Sequence, residues 1–222
     1  GQIDLANGIE ILDAQATRSA PATVRTEGGT LLPGAAVTYT SREPGVATVS
    51  TAGVITGVAP GQAVIVASVT GDPTIADSLL AVVTHVGGPV VMTDIAQFDY
   101  PADTTFTVSV LVDMRSAKKV GSASLDVQWN SAQLTYVSHA AGTSVTPTVN
   151  PNDAGTGILR LAFADPSGFS NTVEIIRITF TATGTPGAGT LTLTTHELNE
   201  ANSAVTDLLP ITVTVLHSLR TQ

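Results

Sequence analysis

Short apolar runs with a period of two recur along this chain, and turn residues close each of them. The clearest stretch is VTYTSREPGVATVSTAGVITGVAPGQAVIVASV, residues 37–69. It holds three runs, residues 37–39, 46–49 and 64–69, set apart by Pro44-Gly45, Ala52-Gly53 and Pro60-Gly61. A strand that buries one face alternates in this way, and Gly and Pro supply the turns between strands. A helix is not interrupted this often. The pattern predicts a small β-sandwich.

The same period opens the chain. Ile3, Leu5, Ile9 and Ile11 share one parity in GQIDLANGIEIL, with Asn7 the interruption. Two readings are open: the first strand of its own sandwich, or a strand donated to a neighbouring copy. On the second reading these four residues are the assembly contacts, and the polar gap at 14–22 is the hinge. Residues 1–22 are therefore set apart as a strand with a donor or linker segment. Residues 23–30 form a strand ending in a Glu27-Gly28-Gly29 turn, Asp72-Pro73 marks a turn, and residues 78–86 form the last strand of the first body.

Gly87-Gly88-Pro89 is the expected boundary between bodies, since Gly frees the chain and Pro stops strand pairing. Beyond it the runs lengthen. Phe106, Val108, Val110 and Val112 share a parity, as do Leu125, Val127 and Trp129, then Ile176, Ile178 and Phe180. Leu191 with Leu193, and Ile211, Val213 and Val215, complete the set. A second and larger sandwich is predicted over 90–222, with Trp129 in its core.

Two resemblances sharpen these expectations. The phrases Tyr39-Thr40-Ser41, Pro44-Gly45-Val46-Ala47-Thr48-Val49, Gly53-Val54-Ile55-Thr56-Gly57-Val58 and Pro60-Gly61-Gln62-Ala63 stand in the order of a bacterial Ig-like domain of group 2. Residues 23–86 resemble that family, with Tyr39 where it often has Trp. The resemblance implies a spacer or adhesion module of surface proteins. The second body resembles a cohesin-like domain. Its carrying residues are 106–112, 122–129, the phrase Trp129-Asn130-Ser131-Ala132-Gln133-Leu134-Thr135-Tyr136-Val137, then 157–164 and 176–182. That resemblance implies a jelly-roll sandwich and a dockerin-like protein partner. Carbohydrate-binding sandwiches share much of the same strand order, so a glycan partner is the further alternative.

Composition narrows the partners. The net charge is −9, and Lys118-Lys119 is the longest basic run, so phosphate backbones and anionic lipid are poor partners. There is no cysteine, which excludes thiolate catalysis and disulfides. Charged residues make up only 12%, and the Thr, Ser, Val and Gly that replace them suit a secreted or cell-surface prokaryotic protein. No run reaches the length of a membrane span. A start at Gly1 points to a leader removed or an end trimmed.

Candidate chemistry is sparse. His85, His139, His196 and His217 show no metal spacing, and Ser167 lacks a Gly-x-Ser-x-Gly frame. The GTPGAG stretch at 184–189 reads as a hairpin loop, because no Lys-Ser/Thr follows it. Glu197 and Glu200 have no aromatic sugar subsite beside them. Asn150, Asn152 and Asp153 are the one calcium candidate, weighed against an ordinary turn that the same residues favour. No catalytic residue and no cofactor is expected. The reading is an all-β protein of two tandem sandwiches, non-catalytic and extracellular. It would work by self-association into a filament or surface layer, with dockerin or glycan binding as the alternatives.

Overall fold

The computed structural model describes every residue except 6–7, 96, 116–117, 184–186, 202–210, 213 and 221–222. The chain divides into two compact units, Gly1–Val86 and Gly87–Gln222. Both are β-sandwiches. Among the described residues no helix is long and apolar enough to cross a membrane.

Among the described residues the first unit is built from β1 (Gln2–Leu5), β2 (Ile9–Asp13), β3 (Thr17–Ser19), β4 (Ala22–Arg25), β5 (Val37–Ser41), β6 (Ala47–Val49), β7 (Val54–Gly57), β8 (Gly61–Val69) and β9 (Asp72–Thr84). A four-stranded sheet runs β2-β9-β8-β5. A three-stranded sheet, β3-β7-β6, and a β1-β4 pair complete the sandwich. The core between them gathers Ile3, Leu5, Leu12, Ile55, Ile65 and Leu79.

The alternating run at the N-terminus is two strands in different sheets. β1 pairs antiparallel with β4, and β2 pairs parallel with β9. Ile3 and Leu5 face the core, but Leu12 takes the core position of β2, and Ile9 and Ile11 are half-buried. The chain changes sheet between Leu5 and Ile9, so parity is not conserved across the run. Asp77 on β9 holds the crossing, its Oδ2 accepting from the Leu5 N–H at 2.7 Å. Residues 1–22 thus lie within the first unit rather than apart from it, and β3 lies inside the expected hinge.

Tyr39 ties two sheets together. Its hydroxyl accepts from the Ala22 N–H at 2.8 Å. Gly53, at φ +75°, lies against the phenol, where a Cβ would fall 2.8 Å from Cζ. The conformation and the close approach both require glycine. The turn expected at Asp72-Pro73 lies at Thr70-Gly71 instead, and β9 begins at Asp72.

The second unit holds β10 (Val90–Thr93), β11 (Gln97–Pro101), β12 (Thr105–Asp113), β13 (Val120–Trp129), β14 (Leu134–Ala141), β15 (Thr148–Asn150), β16 (Ile158–Phe169), β17 (Thr172–Ala182), β18 (Gly187–Glu200), β19 (Ile211–Thr212) and β20 (Thr214–Arg220). A 3-10 turn, Ala154–Thr156, precedes β16. The first half of the GTPGAG stretch lies outside the described residues, and β18 begins at Gly187. One sheet runs β14-β17-β12-β10-β19, and the other β11-β20-β18-β13-β16-β15. The first and last segments both cross from one sheet to the other. β10 pairs parallel with β19, and β11 parallel with β20.

Between these sheets lies the larger core. Phe180 is its largest fully buried side chain, set edge-on to Trp129 with centroids 4.9 Å apart. Trp129 Nε1 donates to the Leu134 carbonyl at 2.9 Å, which satisfies its one polar atom. Gly157, at φ +90°, lets the chain pass the Trp129 carbonyl, where any Cβ would collide.

Candidate functional site

The six-stranded sheet turns Leu125, Val127, Leu159, Leu161, Leu191 and Leu193 inward. Its other face carries what alternation leaves over, namely Ser124 and Asp126 on β13, Arg160 and Ala162 on β16, and Thr192 and Thr194 on β18. His196 joins this face through a β-bulge. Opposite β13, Leu125 pairs with Thr195 and Ser124 with Glu197, so His196 is the extra residue. A bulge re-aims a side chain. Here it sets His196 Nε2 3.2 Å from Asp126 Oδ2.

Asp126 is the centre of the face. It is only 9% exposed, since Arg160 and His196 cover it. Arg160 Nε lies 3.8 Å from the same Oδ2, and Arg160 Nη1 pairs with Asp153 on the loop before β16. A buried carboxylate needs such partners, because desolvation penalises an isolated charge. These groups border an open depression of about 420 Å³, lined by Ser124, Asp126, Thr148, Asn150, Arg160 and His196 over a floor that includes Leu161 and Ala162. It is open to solvent rather than an enclosed pocket.

The calcium candidates fall at its rim. Asn150 Oδ1 accepts from the Asn152 N–H at 3.1 Å, which is a side-chain turn. The Asp153 carboxylate already has a cation in Arg160. Among the described residues no group of three or more His, Cys, Asp or Glu side chains could hold a metal. The four N-terminal assembly candidates lie in the first unit, Ile3 and Leu5 in its core and Ile9 and Ile11 on β2.

The aromatic residues are spent internally. Tyr100 stacks on Phe106 at 4.3 Å, and Tyr136 lies beside Trp129 at 6.5 Å. The Tyr136 hydroxyl is 2.6 Å from His139 Nδ1, and burial pushes its phenol pKa up. Large exposed apolar residues among the described ones are Leu31, Leu32, Val58, Val86 and Val137, none of them aromatic.

A family profile described as "Cohesin domain" matches residues 91–216, more than half of the chain. The chain belongs to the cohesin family. Solved cohesins share the fold of its second unit. A non-cellulosomal cohesin from the hyperthermophilic archaeon Archaeoglobus fulgidus superposes with a TM-score of 0.50 at 16% identity, over 60% of this chain and 91% of its own. The seventh ScaB type I cohesin from Pseudobacteroides cellulosolvens gives 0.50 at 11% identity, over 61% and 94%. A chain of the Coh-OlpA–Doc918 structure from Clostridium thermocellum, described as a novel type I cohesin–dockerin complex, gives 0.51 at 10% identity, over 60% and 99%. No curated protein matches the chain. The cohesin match leaves the first unit outside it, and the depression around Asp126 inside it.

Sequence reasoning does not single out Asp126 or Arg160, and takes His196 only as one of four histidines without metal spacing. Asp126 did leave a trace. It is a charged residue inside the apolar run from Leu125 to Trp129, on the parity that faces away from the core.

Proposed function

We propose that this chain is a non-catalytic, extracellular binding protein whose cohesin unit holds a dockerin-like protein on the open face of its six-stranded sheet. One observation carries the reading: a nearly buried carboxylate, Asp126, whose two ion pairs both use one oxygen, in an open depression within the span of the cohesin match. Protein partners suit a face of this shape, because hot spots form where a desolvated group is ringed by groups that exclude water. The glycan alternative has less support, since no exposed aromatic side chain lies among the described residues. The first unit, with its Ig-like phrases, serves on this reading as a spacer that carries the cohesin unit on a cell-surface or secreted protein.

The test is direct binding of the full chain to a panel of calcium-loaded dockerins by calorimetry. At least one member is expected to bind. Asp126→Ala should then weaken that binding roughly thirtyfold, the effect of removing a hot-spot residue. Silence across the panel, or an unchanged affinity in the variant, would remove this reading.

A further inference from the structure

We propose that Arg160 is a built-in competitor for Asp126, which restricts the docking face to partners that offer a basic side chain. The inference rests on the docking reading above and concerns what that face selects. Asp126 is nine-tenths buried, and both of its ion-pair contacts fall on one oxygen, Oδ2. Oδ1 takes no hydrogen bond from the described residues. Oδ1 is not sealed from solvent, so a donor that reaches it takes the place of water, and a charged donor does so most favourably.

Arg160 does not fill that role well. Asp153, on the loop before β16, pairs with its Nη1, and its Nε stays 3.8 Å from Asp126. That is an ion pair without a close hydrogen bond, and a better-placed donor displaces it. The surrounding charge selects which donor. Asp126, Asp153 and Glu197, the last opposite Ser124, stand against the single guanidinium of Arg160. An acidic group is repelled by that excess, and a neutral hydroxyl does nothing to offset it. A lysine or arginine meets Oδ1 and offsets the charge, while its stem packs over Ala162 in the depression. Arg160 carries the same sign as the incoming group and opposes it. Removing the Arg160 charge therefore strengthens binding, an outcome that a merely structural role would not produce.

The experiment uses the full chain, ¹⁵N-labelled, and two probes: N-acetyl-Gly-Arg-Gly-amide and its Glu counterpart. The arginine peptide is expected to shift the amides of Ser124, Asp126 and Thr148, and the glutamate peptide to leave them in place. Arg160→Gln should bind the arginine peptide roughly fivefold tighter. Asp153→Asn, which frees Arg160 to move onto Asp126, should bind it roughly threefold more weakly. Asp126→Asn should lose the response. Equal shifts from both peptides, no shift from either, or weaker binding by Arg160→Gln overturns the proposal. A silent dockerin panel beside a selective peptide response removes the docking reading and leaves the Arg160 assignment. A binding panel without peptide selectivity does the reverse.

Discussion

Removal of residues 1–12 is expected to unfold the first unit while the second melts as before. The deletion takes away Ile3, Leu5 and Leu12, each at most 5% exposed in the first core. Burying an aliphatic side chain contributes about 1.5–3 kcal/mol, so the three together contribute about 5–9 kcal/mol. A domain of this size has about 5–15 kcal/mol in all. The deletion also strips β9 of the register from Ile9↔Leu80 to Leu12↔Val83 and removes the Leu5 N–H that Asp77 holds. None of these residues belongs to the core of the second unit. Scanning calorimetry should show one of two transitions vanish. Fluorescence of Trp129, the single Trp, reads the second unit alone and should give an unchanged urea midpoint. If strands 1 and 2 were instead donated between copies, the deletion would dissolve polymers and leave the first transition in place. That result would overturn the expectation.

Phe180→Ala is expected to cost the second unit about 3–5 kcal/mol, the usual range for a buried phenylalanine. Phe180 is fully buried. It meets Trp129 edge-on at 4.9 Å and Phe106 at 6.0 Å. Removing it leaves a cavity between the two sheets where both neighbours lose their packing partner. Trp129 is held from filling it by its bond to the Leu134 carbonyl. Urea unfolding followed by Trp129 fluorescence should show a lower midpoint with the slope unchanged. A loss under about 1 kcal/mol would mean that the core collapses around the gap.

The strands were the legible part of this chain, because alternation is a local signal. Phe106, Val108, Val110 and Val112 do line one face of β12, and Trp129 is a core residue as its place in the run predicts. What local alternation cannot register is a change of sheet. Ile3 to Ile11 look like one strand, yet the core residue beyond the crossing is Leu12. Turn chemistry misplaced a boundary for a related reason. Asp72-Pro73 has the composition of a turn, but Gly71, at φ +93°, makes the bend, and Pro73 is tolerated in an exposed part of β9.

The face around Asp126 was hidden by distance along the chain. Asp126, Arg160 and His196 come from three strands that meet only once the sheet has formed. No spacing rule joins them. Period-two counting past Leu193 puts His196 on the outer face with Thr192 and Thr194, but only the bulge and the pairing with β13 bring it beside Asp126. At the calcium candidates the chain supplies its own partners: Arg160 pairs with Asp153, and Asn150 closes a side-chain turn onto the Asn152 N–H.

The parallel pairing of β2 with β9 has a mechanical consequence. One strand lies near the start of the first unit, and the other ends at Thr84, just before its close. Tension applied to the two ends of that unit would drag these neighbours past each other lengthwise. All their cross-links, from Ile9↔Leu80 to Asp13↔Thr84, would then bear the load at once. An antiparallel arrangement would part them one at a time, like a zip. A tether built this way yields late and all together.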